Sequence, residues 1–195
     1  MKRLCVFCGS SYGNSPAFTA AARELGEAIA TRGIELVYGG ARVGLMNEVA
    51  DAVLAKGGKV IGVLPRFMSD KELAHESLTE LHLVDTMHQR KQLMAELSDG
   101  FVALPGGFGT FEEIFEAMTW SQLNLHRSPC ALFNVAGYYD KLIEFLDISV
   151  ASGFVRKDLR DSLIVAYNVE DLFEGIANHR PAQSEKWIPQ NILKS

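Results

Sequence analysis

Apolar runs in this 195-residue chain are short, and none approaches the ~18 residues that a membrane-crossing helix needs. Behind Met1-Lys2-Arg3 the apolar stretch Leu4 to Cys8 ends at Gly9-Ser10-Ser11. That is below the roughly 7–15 residues of a secretory core segment, so no leader and no membrane partner are expected. Basic surplus is missing as well: 19 Lys and Arg stand against 24 Asp and Glu, a net charge of −5. A general nucleic-acid binder would show a basic stripe, so nucleic acid is not an expected partner. A single phosphate remains possible, because backbone N–H groups can hold one locally. Cysteine is scarce and odd in number (Cys5, Cys8, Cys130), which excludes a disulfide scaffold and points to the reducing cytoplasm. The histidines (His75, His82, His88, His126, His179) show no metal-ligand spacing, so no metal site is expected. Cys5 and Cys8 sit three apart on a candidate strand and so face opposite ways, which argues against a redox or metal pair. Neither a Walker A loop nor a Gly-x-Gly-x-x-Gly fingerprint occurs, which counts against P-loop phosphoryl transfer and a dinucleotide cofactor.

What is present is ordinary globular composition, 48% hydrophobic and 22% charged. A chain this long hides roughly 70% of its unfolded surface and needs no staples. Short apolar runs at Leu4–Cys8, Leu36–Tyr38, Val60–Leu64, Phe101–Leu104, Ala131–Asn134 and Leu163–Ala166 read as strands covered on both faces. Between them lie helical patterns near Pro16–Thr31, Leu45–Ala55, His88–Leu97, Thr110–Leu123, Tyr138–Ser152 and Glu170–Ala177. Such alternation predicts an α/β fold with one doubly wound parallel sheet and helices on both faces, over residues 1–178. Two stretches break the rhythm. Pro65 to Asp85 reads as a long acidic connection, either a lid or an insertion. The tail 179–195, with Trp187, Ile188, Ile192 and Leu193, fits covering its own domain and docking on a partner subunit equally well.

Doubly wound sheets bind ligands at the carboxyl ends of their strands. Three strand ends here carry glycine: Cys8-Gly9-Ser10-Ser11, Tyr38-Gly39-Gly40-Ala41-Arg42-Val43-Gly44 and Leu104-Pro105-Gly106-Gly107-Phe108-Gly109-Thr110. One such turn is only a turn; three along one edge, the last running into a helix, favour a phosphate cradle. Thr110 is expected to cap that helix and to offer its hydroxyl to phosphate. Glu112 and Glu113 follow in what reads as its first turn, where the dipole alone would favour them. Beside a bound phosphate they require a cation, and Met87-His88-Gln89-Arg90-Lys91 supplies one. Arg90 shares a helical face with Leu93 and Leu97, an inward place for an arginine unless it is paired. Lys91, by spacing alone, reads as solvated surface.

Pro105-Gly106-Gly107-Phe108-Gly109-Thr110-Phe111-Glu112-Glu113, preceded by Met87-His88-Gln89-Arg90-Lys91, resembles the signature of the LONELY GUY family of cytokinin riboside 5′-monophosphate phosphoribohydrolases. Many members of that family were labelled "possible lysine decarboxylase". The resemblance extends through Cys8-Gly9-Ser10-Ser11, Tyr38-Gly39-Gly40, Val43-Gly44-Leu45-Met46, Thr119-Trp120-Ser121-Gln122-Leu123 and Asn134 to Tyr139, covering the chain to about Asn168. It implies a Rossmann-like fold that acts as a dimer or larger oligomer, with the site near the subunit contact. It also implies Arg90 and Glu113 as the catalytic pair. Glu72, Lys91, Gly106, Gly107, Phe108, Gly109, Thr110, Phe111, Glu112, Thr119, Ser10, Gly39, Gly40 and Met87 are implied as substrate contacts, and no cofactor is.

Chemistry narrows the roles. Cleavage of an N-glycosidic bond develops an oxocarbenium-like sugar, which a carboxylate at Glu113 would stabilise while orienting water. Arginine, with a pKa above ~12, cannot donate the proton, so Arg90 is expected to act by charge and geometry. A non-catalytic nucleotide carrier of the same fold is the other reading, but a passive binder gains nothing from an anion beside the sugar. A pyridoxal-phosphate decarboxylase would need a Schiff-base lysine and a pyridinium partner, and only the phosphate loop suits one. Phe111, Ile114, Phe115, Met118 and Trp120 span most of their helix's circumference, so cover from a second layer is expected, from a partner or from the helix at Tyr138–Ser152.

Overall fold

In the computed structural model, which describes residues 1–69 and 74–182, the chain builds one parallel sheet. Its strands are β1 (Arg3–Phe7), β2 (Glu35–Tyr38), β3 (Val60–Pro65), β4 (Glu80–Val84), β5 (Phe101–Ala103), β6 (Cys130–Phe133) and β7 (Leu163–Ala166). They lie in the order β4-β3-β2-β1-β5-β6-β7. The helices are α1 (Pro16–Thr31), α2 (Gly44–Ala55), α3 (Arg66–Ser69), α4 (Met87–Glu96), α5 (Phe108–Gln122), α6 (Asp140–Ala151), α7 (Lys157–Ser162) and α8 (Val169–Ala177). Alternate strand residues feed two cores. Leu4, Val6, Leu36, Tyr38, Val102 and Phe133 meet α1, α2 and α8 on one face. Cys5, Phe7, Val37, Val63, Phe101 and Leu132 meet α4, α5 and α6 on the other. Doubly wound packing is thus the direct result of apolar runs with no polar alternation.

From β1 the chain winds outward through β2 and β3 to β4, then crosses back to lay β5 on the other side of β1. The reversal opens a crevice between the carboxyl ends of β1 and β5, the usual ligand position in such sheets.

The expected long connection from Pro65 to Asp85 is not structureless: it holds α3 and, at the sheet edge, β4. Glu80-Leu81-His82-Leu83-Val84 alternates and so lacks the continuous apolar run that marks the other strands. As an edge strand, it leaves Leu81 and Leu83 more than a third exposed. Glu72 falls outside the described residues, as do Trp187, Ile188, Ile192 and Leu193 of the tail. Cys5 and Cys8 lie in opposite cores, as their spacing requires, and burial raises the pKa of both thiols and of Cys130.

Candidate active site

The three glycine-bearing strand ends form one packed unit. Gly9 N–H donates to the Pro105 carbonyl at 3.0 Å, and Leu45 N–H to the Gly9 carbonyl at 3.0 Å. Gly44 has φ +51°, and a Cβ there would lie 2.4 Å from Ser10 backbone carbon, so only glycine fits. The next segment is tied on as well. Ala74 bridges Ala41, His75 N–H donates to the Gly40 carbonyl at 3.0 Å, and buried His75 meets Asp51 through Nε2 at 3.0 Å. Nothing in the sequence distinguished this histidine from a surface one.

The third loop leads into α5, which begins earlier than expected, at Phe108, with Gly107 as its N-cap and no side-chain cap. Thr110 is therefore not the cap. It sits buried inside the first turn, its hydroxyl packed where a Cβ on Gly106 would lie 2.1 Å away. Glu112 and Glu113 correspondingly move out of the first turn, which holds no acid. Helices α1, α4 and α8 are closed by Ser15, a Thr86–Gln89 capping box and Asn168. The α5 terminus instead presents free N–H groups between Gly107 and Gly109, where an added Cβ would meet nothing within 4 Å. Neither glycine has a positive φ; Gly107 suits its N-cap position, and Gly109 is not required by the fold itself.

Arg90 comes from the first turn of α4, whose capping box fixes its start. Its Nη1 meets Glu113 Oε1 at 2.6 Å with both side chains about nine-tenths buried, and its Nε donates to the Val63 carbonyl at 3.1 Å. Gly39 makes room for it: a Cβ there would stand 2.0 Å from Arg90 Nη2. Burial pushes the Glu113 carboxyl above its usual range, against the pull of Arg90. Lys91 is not solvated surface. Only 11% exposed, its Nζ joins Glu112 and, at 3.0 Å, Glu116. Burial would lower the Lys91 pKa, yet these two carboxylates hold it above its ordinary value.

Other expected contacts are distributed unevenly. Ser10 and Met87 are exposed beside these loops, Gly39 and Gly40 are buried at the end of β2, and Phe108 stands 91% exposed on the cradle. Phe111 turns inward, edge-on to Tyr139 at 6.3 Å. Thr119 lies nearly two turns beyond Glu113 and off its face, its hydroxyl donating to the Phe115 carbonyl at 2.7 Å. It lines a separate groove with Met118, Leu159 and His179. Within one chain Thr119 is not brought to the Arg90–Glu113 pair. Two residues given no role in the sequence hold the third loop: Tyr138 hydroxyl donates to the Gly106 carbonyl, and Tyr139 hydroxyl to the Leu104 carbonyl at 2.7 Å. Among the described residues no cluster of three or more metal-binding side chains occurs.

A family model described as "Possible lysine decarboxylase" matches residues 46–176. The probable cytokinin riboside 5′-monophosphate phosphoribohydrolase LOGL5 of Oryza sativa subsp. japonica is 47% identical over 180 residues, 92% of this chain and 73% of its own. The cytokinin riboside 5′-monophosphate phosphoribohydrolase LOG1 of Arabidopsis thaliana is 42% identical over 196 residues, 98% and 92% of the two chains. Among solved structures, the molybdenum cofactor carrier protein of Chlamydomonas reinhardtii superposes with a TM-score of 0.67 at 22% identity, over 90% of this chain and 96% of that one. The molybdenum cofactor binding protein of Rippkaea orientalis gives 0.68 at 21%, over 91% and 96%. At that identity the two structures show the shared fold alone. The relatives at over 40% identity, spanning nearly the whole chain, show more: the chain belongs to the LONELY GUY family, whose model carries the decarboxylase description.

Proposed function

We propose that this protein hydrolyses the N-glycosidic bond of adenosine 5′-monophosphates, N6-substituted ones included, releasing the base and ribose 5-phosphate. The observation that carries the reading is the buried Arg90–Glu113 pair, 2.6 Å apart, beside an uncapped helix start lined by Gly107 and Gly109. The names of relatives over 40% identical support the same activity.

In this reading the phosphate lies against the N–H groups of Gly107, Phe108, Gly109 and Thr110, where the α5 dipole favours an anion. The ribose then faces Glu113 in the next turn. Its carboxylate stabilises the oxocarbenium-like sugar and orients the attacking water. Arg90 opposes the upward push of burial on that carboxyl, and holds its position from the Val63 carbonyl. Lys91 screens Glu112 and Glu116 from the phosphate. Ser10, Gly39, Gly40, Met87, Gly106 and Phe111 line or support this pocket. Phosphate binding energy positions the sugar, so a nucleoside should lose turnover as well as affinity.

The active unit in this reading is at least a dimer with its site near the subunit contact, which is how Thr119 would reach substrate. Exposed apolar residues support it: Phe108 on α5, Phe145 at 61% and Ile148 at 59% on α6, and Phe154 at 86%. Helix α6 does cover part of α5, with Leu142, Ile143 and Leu146 in one core with Phe111, Phe115 and Met118. A cytoplasmic setting is inferred from three buried free thiols. No helix among the described residues is long and apolar enough to cross a membrane.

A decarboxylase suits the site poorly. A Schiff-base lysine works with a lowered pKa, whereas the Lys91 ammonium is held charged between two carboxylates. A carrier has no use for Glu113 at that place. The test is incubation of the pure protein with AMP, N6-isopentenyl-AMP and the matching nucleosides, with chromatography for free base. Base released from the monophosphates alone is expected. No release from either monophosphate overturns the reading, and equal rates on nucleosides remove the phosphate loop from it. Sedimentation of the active species tests the assembly, and full activity at 21.5 kDa overturns the dimer.

A further inference from the structure

The peptide between Gly106 and Gly107 lies in the cradle with glycine on both sides. It can therefore rotate between orientations that side chains would forbid. A trans peptide is planar, and its C=O and N–H point in opposite directions. Whatever holds the Gly106 carbonyl therefore also aims the Gly107 N–H. In this protein that group is the Tyr138 hydroxyl, from the loop after β6.

The loop is built to hold that hydroxyl in place. Asn134, 1% exposed, accepts the Tyr139 N–H at 2.7 Å and donates to Asp140 at 2.6 Å. Ala136 takes φ +52° and Gly137 φ +73°, left-handed conformations that an alanine adopts only under constraint. The Tyr138 ring is edge-on to Phe18 at 5.7 Å and to Tyr139 at 5.0 Å, so its direction is set by packing on two sides. Tyr139 supplies a contrast inside the same turn. Its hydroxyl takes the Leu104 carbonyl, but residue 105 is proline, so that peptide has no N–H to aim.

We propose that Tyr138 is a positioning residue for phosphate recognition: by holding the Gly106 carbonyl it turns the Gly107 N–H toward the open side of the loop, where the phosphate of the substrate binds. The inference rests on the phosphoribohydrolase reading above. Tyr138 needs no contact with the substrate to act in this way.

The experiment compares Tyr138→Phe and Tyr139→Phe with the wild type, using AMP turnover, inhibition by ribose 5-phosphate, inhibition by adenine, and Tm. Loss of one hydrogen bond predicts that Tyr138→Phe raises the KM for AMP and the Ki for ribose 5-phosphate by about 5- to 10-fold. Adenine inhibition should be unchanged, the ring packing being retained, and any fall in kcat should be smaller than the rise in KM. Tyr139→Phe leaves a buried carbonyl unpaired and should lower Tm without changing the ratio of the two inhibition constants. The proposal is overturned if Tyr138→Phe leaves ribose 5-phosphate inhibition unchanged, or if ribose 5-phosphate and adenine weaken together. An independent check needs no variant: in 15N-glycine-labelled wild type, ribose 5-phosphate should shift the Gly107 amide, and an unmoved Gly107 signal at saturation overturns the aim assigned to it. If wild type neither cleaves AMP nor binds ribose 5-phosphate, the functional reading itself has failed, which is distinct from a failure confined to Tyr138.

Discussion

Gly39→Ala tests the placement of Arg90 without touching either member of the ion pair. The backbone at position 39 is not in the left-handed region, so alanine is conformationally allowed. Its Cβ would stand 2.0 Å from Arg90 Nη2, 3.2 Å from Cζ and 2.5 Å from Met46 Cε. Met46 can yield, because its thioether chain is flexible. Arg90 cannot yield cheaply. To reach an ordinary 3.4 Å contact the guanidinium must retreat by about 1.4 Å, and it is anchored at 2.6 Å to Glu113 and 3.1 Å to the Val63 carbonyl. A displacement of that size breaks at least one anchor. Misplacing a catalytic group by an ångström costs on the order of 10²-fold in rate, which corresponds to about 2.7 kcal/mol of barrier. Overpacking a buried site typically costs about 1–3 kcal/mol of stability, or roughly 2–12 °C in Tm for a domain of this size. The assay is base release from AMP at saturating and sub-saturating substrate, well below the melting transition of the variant. The expected result is a fall in kcat/KM of about 100-fold in a protein still fully folded at the assay temperature. A folded Gly39→Ala variant within about 3-fold of the wild type, a loss below ~0.7 kcal/mol, would refute the reasoning that the Arg90–Glu113 geometry drives the chemistry.

Gly109→Ala should separate stability from binding. Its Cβ meets no protein atom, and helix propensity alone should add about 0.5–1 kcal/mol, yet KM for AMP should rise several-fold as the methyl occupies the cradle. An unchanged KM would show that no ligand approaches there. Glu113→Gln should reduce turnover to below about a tenth while AMP binding stays within a few-fold, and greater residual turnover rules out Glu113 as the key carboxylate. In the wild type, kcat/KM should fall as pH falls through the Glu113 pKa, because the ionised form is the active one. Burial places that limb above the ordinary glutamate value of about 4.3, and Arg90→Gln should move it further up. A limb at or below that value contradicts the buried setting. Ala136→Gly should raise Tm by about 1–4 °C by relieving the φ +52° conformation, with AMP turnover intact; a lower Tm would mean that Ala136 is not strained.

Much of the fold was legible because the signals were local. Pro16 behind Ser15 and the run Leu163–Ala166 gave α1 and β7 with the bounds observed, since a cap and a continuous apolar run each act within a few residues. β4 was not legible, because Glu80-Leu81-His82-Leu83-Val84 alternates and stays largely exposed, whereas β7 at the opposite edge is a continuous apolar run with both ends buried. α5 was displaced by two residues for another reason. Gly107 caps through its backbone alone, so the threonine that looked like a cap is instead packed beneath Gly106. The acids then moved from the first turn to the second. That weakens the dipole as an explanation of Glu112 and Glu113 and leaves their partners, Lys91 and Arg90, as the reason they are there.

For the site, spacing could place Arg90 on the inward face of α4 but could not reveal what it met there, because the pair spans 23 residues and two helices. The same holds for Lys91: one position from an inward arginine reads as surface, and only the approach of α5 turns it into the bridge between Glu112 and Glu116. Glycine carried the converse ambiguity. In sequence Gly39, Gly44, Gly106, Gly107 and Gly109 are alike, yet three of them are required by protein atoms within 2.4 Å of an added Cβ, and two face open space. Those two mark the surface left free by the fold itself. Inside a helix, as at Gly109, a glycine with no steric neighbour and no positive φ gains nothing for stability, since alanine would serve better, whereas at the N-cap, where Gly107 stands, glycine is itself favoured. Gly109 therefore has no explanation within the fold, and on the proposed reading its missing side chain leaves room for the phosphate beside the Arg90–Glu113 pair.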